Sequence, residues 1–233
     1  MPSSDRLPIT TRIAQWRSLL IVGGIALAVL VFIRLASEMV EGDTRAFDAH
    51  LLTALRRTGD LADPIGPAWL KLAMLDLTAL GGTAVLSLIT VLALGLVAIE
   101  RNWQRAAYIG VAVGGGSLLS GLLKLDYARP RPTIVAHLVD VSSASFPSGH
   151  AMNSAIVYLT LGTIASRGVH ERAGKVYVMA MAVVLTLIVG CTRVFLGVHW
   201  PTDVLAGWAA GAAWATLCWL AAERLQTRYG KPL

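Results

Sequence analysis

The sequence predicts an all-α, polytopic membrane protein: six transmembrane helices in a bundle, with interfacial helices in the first external loop, in a single domain over residues 1–233. Three observations predict it. The chain is 55% hydrophobic and only 15% charged, with a mean hydropathy of +0.64, which is too apolar for a soluble domain of 233 residues. Its charges are separated by six uncharged runs, Ser18–Ile33, Leu77–Ile99, Ala106–Leu123, Ala151–Ser166, Val176–Thr192 and Val204–Ala222. A helix of about 20 residues crosses the hydrocarbon, and the shorter runs reach that length with flanking residues that snorkel or sit in the interface. Finally, the cations that give a net charge of +6 lie in short loops and termini beside those runs. That distribution orients helices in a membrane, so no nucleic-acid partner is expected.

The elements follow in order. Residues 1–17 carry Arg6, Arg12 and Arg17 against Asp5, which places the N-terminus in the cytoplasm. No small-residue cleavage site follows the first apolar run, so it reads as a retained helix rather than a signal peptide. The loop Arg34–Asp76 holds seven acids, Glu38, Glu41, Asp43, Asp48, Asp60, Asp63 and Asp76. Within it Phe47, Leu51, Ala54 and Leu55 recur at helical spacing, with Arg45, Asp48 and Arg56 on other faces, and predict a helix lying in the outer interface. A second such stretch, Trp69–Leu75, follows the breaks at Pro64 and Pro67.

The second run returns to a tight inner loop at Arg101 and Arg105, and the third carries Gly114-Gly115-Gly116-Ser117 and Ser120-Gly121 before ending outside at Lys124. Small residues let helices approach closely in lipid, so these glycines, and Gly207 with Gly211 in the last run, predict helix contacts. The fourth run descends to Arg167, Arg172 and Lys175, the fifth rises to Arg193, and the sixth leads to a cytoplasmic tail with Arg224, Arg228 and Lys231. Eleven Lys and Arg then lie inside and nine outside, of which Lys124, Arg129, Arg131 and Arg193 belong to the segments considered next. Cys191 and Cys218, both in or at the end of apolar runs, suit packing better than a disulfide or a metal site.

Three segments meet at the outer face: Lys124–Pro132, Ser145–His150 and Arg193–Asp203. Singly, each has a plain structural explanation. Lys124 and Arg193 can snorkel, Arg129 and Arg131 can form an extended basic loop, Trp200 can anchor at the interface, and Ser148 can be an N-cap. Together they contain what phosphoryl transfer requires. A transferring phosphoryl group spreads negative charge over its equatorial oxygens, and catalysis consists mainly of positioning and of stabilising that charge. The acids show no metal-ligand spacing, so no metal and no cofactor is expected. Lys124, Arg131 and Arg193, with the helix-start donors around Ser148 and Gly149, supply the positive charge instead. Asp203 follows His199 by four residues, close to one helical turn, so it can accept from one ring nitrogen and leave the other free to attack phosphorus. His150 can protonate the leaving oxygen and then activate water.

The pattern Lys-x6-Arg-Pro over Lys124–Pro132, Pro-Ser-Gly-His over Pro147–His150, and Arg-x5-His-x3-Asp over Arg193–Asp203 resembles the three signature motifs of the type 2 phosphatidic acid phosphatase family, which shares its site with vanadium haloperoxidases and glucose-6-phosphatase. The resemblance implies metal-independent phosphatase activity. It implies phosphate contacts from Lys124, Arg131, Ser148, Gly149 and Arg193, the acid His150, the nucleophile His199 and its partner Asp203. Thr192 stands where the family usually has Ser. Arg129 matches a bacterial Arg-x-Arg-Pro variant and is a weaker site candidate. His50, His137 and His170 match nothing in the pattern.

The expectation is therefore a bacterial plasma-membrane lipid phosphatase with cytoplasmic termini and an external site. Its substrate partners would be lipid phosphates or diphosphates: phosphatidate, phosphatidylglycerol phosphate or undecaprenyl diphosphate. The rival is a non-catalytic protein that binds or transports anionic lipid. Binding alone does not need an oriented imidazole, which favours the enzyme. A haloperoxidase suits a water-filled site in a soluble protein, against which six spans speak.

Overall fold

The computed structural model describes residues 9–229, with side chains from Trp16 to Gln226 apart from Arg17. The side chains of the predicted inner cations Arg6, Arg12, Arg17, Arg228 and Lys231 lie outside it. Eight α-helices follow in order: α1 (Ile9–Glu41), α2 (Arg45–Ala54), α3 (Ala68–Thr78), α4 (Thr83–Ile99), α5 (Trp103–Tyr127), α6 (Gly149–Gly168), α7 (Arg172–Phe195) and α8 (Pro201–Tyr229). A small antiparallel hairpin, β1 (Arg56–Arg57) and β2 (Asp60–Pro64), stands between α2 and α3. The all-α expectation omitted it, because two short charged strands carry no apolar alternation to read.

Five of the six predicted runs fall within single helices, and the second, Leu77–Ile99, is broken at Gly82 between the end of α3 and α4. Among the described residues, four helices are long and apolar enough to cross a membrane: α1 from Ser18, α5, α7 and α8 to Gln226. A fifth candidate is α3 with its terminal turn plus α4, bent by 46° at Gly82. Helix α6 does not reach that threshold. It carries Asn153, Ser154, Thr160 and Thr163, and it packs against α4, α5, α7 and α8. A helix enclosed by protein need not be as apolar as one facing lipid, because its neighbours replace the lipid. Helix α1 is the opposite case: it packs chiefly on α8 and leaves Leu20, Leu27 and Leu30 exposed.

The contact between α6 and α8 is made by glycine. A Cβ on Gly207 would stand 2.8 Å from the Ser148 carbonyl oxygen, and one on Gly211 would stand 2.6 Å from that of Met152. Any larger residue forces the two backbones apart, so the predicted Gly207/Gly211 contact holds the central helix against the one that carries Asp203.

Helices stand where the first external loop was expected to hold them, as α2 and α3, but α2 is turned differently from the expectation. Asp48, expected on a different face from the apolar stripe, is 0% exposed with Leu52, whereas Phe47 of that stripe is 50% exposed. Arg56, also expected away from the stripe, is buried and donates to the Phe195 carbonyl at 3.0 Å. Phe47 and Leu51 point away from the bundle, because the inner face of α2 is made by Asp48 and Leu52.

Candidate active site

Four helix ends meet at one end of the bundle: the C-termini of α5 and α7 and the N-termini of α6 and α8. Chain direction alone brings the three motif segments together there. They enclose a cavity of about 320 Å³ lined by Lys124, Arg131, Gly149, His150, Arg193 and His199, with no carboxylate in its wall.

The loop that carries His199 is fixed by the end of α7. The Val198 N–H donates to the Arg193 carbonyl at 3.2 Å and the Gly197 N–H to that of Val194 at 3.0 Å. This paired closure needs a left-handed residue, and Gly197 supplies it with φ +75°. Phe195, Leu196 and Val198 then pack under Leu70, Met74 and Leu75 of α3. The chain leaves this anchored turn directly into His199.

His199 is 2% exposed. Its Nε2 lies 3.2 Å from Arg131 Nη1, and its Nδ1 lies 3.4 Å from Asp203 Oδ2. A guanidinium only donates, so Nε2 accepts and the proton is assigned to Nδ1, facing the carboxylate. Burial pushes the imidazole pKa down to about 4; Arg131 and Arg193 add to the fall and Asp203 opposes it. At neutral pH the ring is uncharged, with a lone pair on the nitrogen nearest the cations.

Asp203 is held on every side. Its Oδ2 accepts from the Trp200 N–H at 2.9 Å and from the Ser145 hydroxyl, and its Oδ1 accepts from Arg129 Nη1 at 2.5 Å. Lys124 donates to the Ala144 carbonyl at 2.6 Å. Arg131 Nε donates to the Ser143 carbonyl at 2.8 Å, and its Nη1 to that of Val198 at 2.5 Å. Arg193, 3% exposed, donates to Thr78 Oγ1 at 3.0 Å, so α3 steadies it from outside the motifs. His150 is set by a break in another helix: a Cβ on Gly81 would stand 3.3 Å from His150 Cδ2 and 2.2 Å from Val189 Cγ1.

One expected phosphate contact is placed differently. Ser148 is fully buried behind the cavity wall. Its N–H donates to the Asp203 carbonyl at 2.9 Å, and its hydroxyl lies 3.5 Å from the Ala151 N–H as the N-cap of α6. The Ser148 hydroxyl caps the Ala151 N–H, which leaves the amides of Gly149 and His150 as the helix-start donors nearest the cavity. Thr192 turns its hydroxyl back onto the Val189 carbonyl at 2.6 Å, so the departure from Ser lies outside the cavity wall. His137 bonds the Pro132 carbonyl at 2.6 Å and belongs to the loop.

Motif spacing ranks Arg129 low and assigns no site role to Asp48, Ser145 or Thr78. Arg129 bridges Asp203 and Asp48, and its guanidinium also lies over the Trp200 ring, 5.3 Å from its centre. The available signal was an Asp one turn before Leu52 on a helix that also presents Phe47 and Leu51. An acid sharing a face with a core leucine implies a buried partner. Among the described residues, no group of three or more His, Cys, Asp or Glu is placed to hold a metal ion.

Comparison with known proteins adds a family. The PAP2 superfamily model matches residues 105–226, which includes all three segments. Phosphatidylglycerophosphatase B of Bacillus subtilis is 37% identical over 147 residues, covering 61% of this chain and 70% of that protein. Decaprenylphosphoryl-5-phosphoribose phosphatase of Mycobacterium tuberculosis is 30% identical over 122 residues, covering 51% of this chain and 62% of that one. Among solved structures, the PAP2 type phosphatidylglycerolphosphate phosphatase from Bacillus subtilis superposes with a TM-score of 0.77 at 30% identity, covering 86% of this chain and 96% of that one.

Proposed function

The chain belongs to the PAP2 superfamily, and we propose that it is an integral membrane lipid phosphatase that hydrolyses phosphate monoesters or diphosphates of lipids through a phosphohistidine, without a metal ion. The observation that carries the reading is the placement of His199: Nδ1 towards Asp203, and Nε2 on the wall of a cavity with three cations and no carboxylate.

In this reading the substrate's phosphate enters among Lys124, Arg131, Arg193 and the first-turn amides of α6. His199 Nε2 attacks phosphorus; a P–N bond forms as the P–O bond to the lipid breaks. His150, protonated beside the incoming phosphate charge, gives its proton to the departing oxygen. It then takes a proton from water, whose oxygen attacks phosphorus and breaks the P–N bond, releasing inorganic phosphate and restoring both histidines. Asp203 holds the His199 tautomer and offsets the positive charge that the ring acquires on attack. The fixed cations act mainly in the transition state, where the phosphoryl charge is spread most widely.

The apolar helices support a membrane location. We assign six spans: α1, α4 after the 46° bend at Gly82, α5, the enclosed α6, α7 and α8. Both termini are then cytoplasmic and the cavity opens at the outer face of a plasma membrane, with α2 and α3 along that interface. Arg101, Arg105, Arg167, Arg172 and Lys175 support this, because they lie in a connecting loop or in the terminal turns of α5, α6 and α7 at the end opposite the cavity. Single cysteines at Thr58 and Ala173 in a Cys191→Ala, Cys218→Ala background test it: an impermeant thiol reagent labels position 58 in intact cells and position 173 only after lysis. The reverse pattern overturns the orientation.

The similarity to enzymes named for phosphatidylglycerolphosphate and decaprenylphosphoryl-5-phosphoribose supports a lipid-borne phosphate monoester as substrate class. Phosphate release from phosphatidylglycerol phosphate, phosphatidate and undecaprenyl diphosphate in detergent, with a chelator present, tests the function. The proposal expects turnover of at least one of them, lowered by at least about a thousandfold in His199→Ala. Equal turnover in both proteins removes the nucleophile assignment, and none in either favours lipid binding without catalysis.

A further inference from the structure

Outside the three motifs, one buried acid reaches the catalytic carboxylate through a single side chain. Asp48 lies on α2 and is 0% exposed; Asp203 is also 0% exposed, and Arg129 between them is 9% exposed. The guanidinium divides its donors: Nη1 serves Asp203 Oδ1 at 2.5 Å and Thr202 Oγ1 at 2.9 Å, while Nη2 serves Asp48 Oδ2 at 2.8 Å and Thr44 Oγ1 at 3.3 Å. Asp48 also binds the first turn of α8, accepting from the Thr202 N–H at 3.0 Å and from its hydroxyl at 2.7 Å.

Two buried carboxylates sharing one guanidinium carry a net negative charge, which is costly in a low-dielectric interior and needs a use. Had Asp203 alone held Arg129, the pair would be neutral and would attract the His199 Nδ1 proton weakly. Drawing half of the guanidinium towards Asp48 leaves Asp203 with charge that its neutral donors, the Ser145 hydroxyl and the Trp200 N–H, do not cancel, and the imidazole beside them is the group that can take up positive charge. The same contacts fix where α8 starts, and hence where Asp203 stands relative to His199. Neither Asp48 nor Arg129 lines the cavity.

We propose that Asp48, acting through Arg129, is a positioning residue for the hydrolysis: it fixes the Asp203 carboxylate and sets how much negative charge that carboxylate presents to His199. This rests on the reading of His199 as nucleophile. The helix expected in the outer interface thereby also positions the catalytic carboxylate, and Thr44 at its start completes the clamp.

The test uses full-length protein in detergent, with phosphatidylglycerol phosphate as substrate and kinetics normalised to folded monodisperse enzyme. Asp48→Asn keeps the side chain's shape and an acceptor for Thr202 but removes the charge. The expected result is a fall in kcat on the order of 10–100-fold, the usual scale for partners that orient a reacting histidine, with KM changed by less than about twofold. Phosphoenzyme formation in a single turnover slows by the same factor. Arg129→Gln lowers kcat as well, and because both act through Asp203 the double variant loses no more than the worse single one. If Arg129→Gln does not fold, Asp48→Asn alone decides. Unchanged kcat in Asp48→Asn, or a loss confined to KM or to the yield of folded protein, overturns the proposal. Full activity in His199→Ala overturns the nucleophile reading instead, and the two failures are distinct.

Discussion

Arg131 Nη1 sits 3.2 Å from His199 Nε2, so a cation that lines the cavity also determines which nitrogen of the ring carries its proton. One side chain thus serves charge and tautomer together. Its planar fork is further committed to the Ser143 and Val198 carbonyls, which hold it in register with the histidine.

Arg131→Gln removes both services and is expected to lower kcat by about 10²–10³, the scale for loss of a donor aimed at developing oxyanion charge. Arg131→Lys restores the charge but not the fork and is expected to recover only part of that loss. Steady-state kinetics on detergent-solubilised protein check this, and full recovery by lysine would show that charge alone matters.

The buried His199 gives a pH signature in stability. Its pKa falls from 6.5 to about 4 in the folded protein, so between those values the unfolded chain binds the extra proton and the folded one does not. Stability is therefore lost as pH falls through that window. Wild type is expected to lose more thermal stability than His199→Gln between pH 6.5 and pH 4.5. Parallel melting curves for the two proteins would contradict the buried neutral ring.

Gly81 leaves no room for a side chain between Val189 and His150. Gly81→Ala is expected to cost about 1–3 kcal/mol, the range for overpacking a close contact, and to reduce kcat more than its effect on folding explains, because His150 is displaced with the helix break. Activity per folded molecule separates the two effects.

Gly211→Ala tests the scaffold without touching the cavity. Its Cβ would meet the Met152 carbonyl oxygen at 2.6 Å, backbone that cannot step aside as a flexible side chain does. A stability loss of about 1–3 kcal/mol is expected, with KM changed by less than about twofold in the fraction that stays folded.

What the sequence disclosed depended on how local the physics was. Lys124, Gly149, His150, Arg193, His199 and Asp203 were legible because helix-end placement and i,i+4 spacing are local, and connectivity then carries those ends to one side of the bundle. The helices α2 and α3 were legible from periodicity and from Pro64 and Pro67. The orientation of α2 was not, because Asp48 looks solvent-facing until Arg129, 81 residues away, provides its partner. Ser148 was half legible: its N-cap role is local, but its N–H goes to Asp203, which no spacing announces. The limited apolarity of α6 follows from its four helical neighbours, a tertiary fact that uncharged length does not contain.

The most direct measurement of the central claim is to quench a single turnover of lipid bearing ³²P in the scissile phosphate under alkaline conditions and to map the label on the protein. An acid-labile, alkali-stable label is expected on the peptide containing His199, absent in His199→Ala. Turnover without any protein-bound label, or a label that persists in His199→Ala, would contradict it.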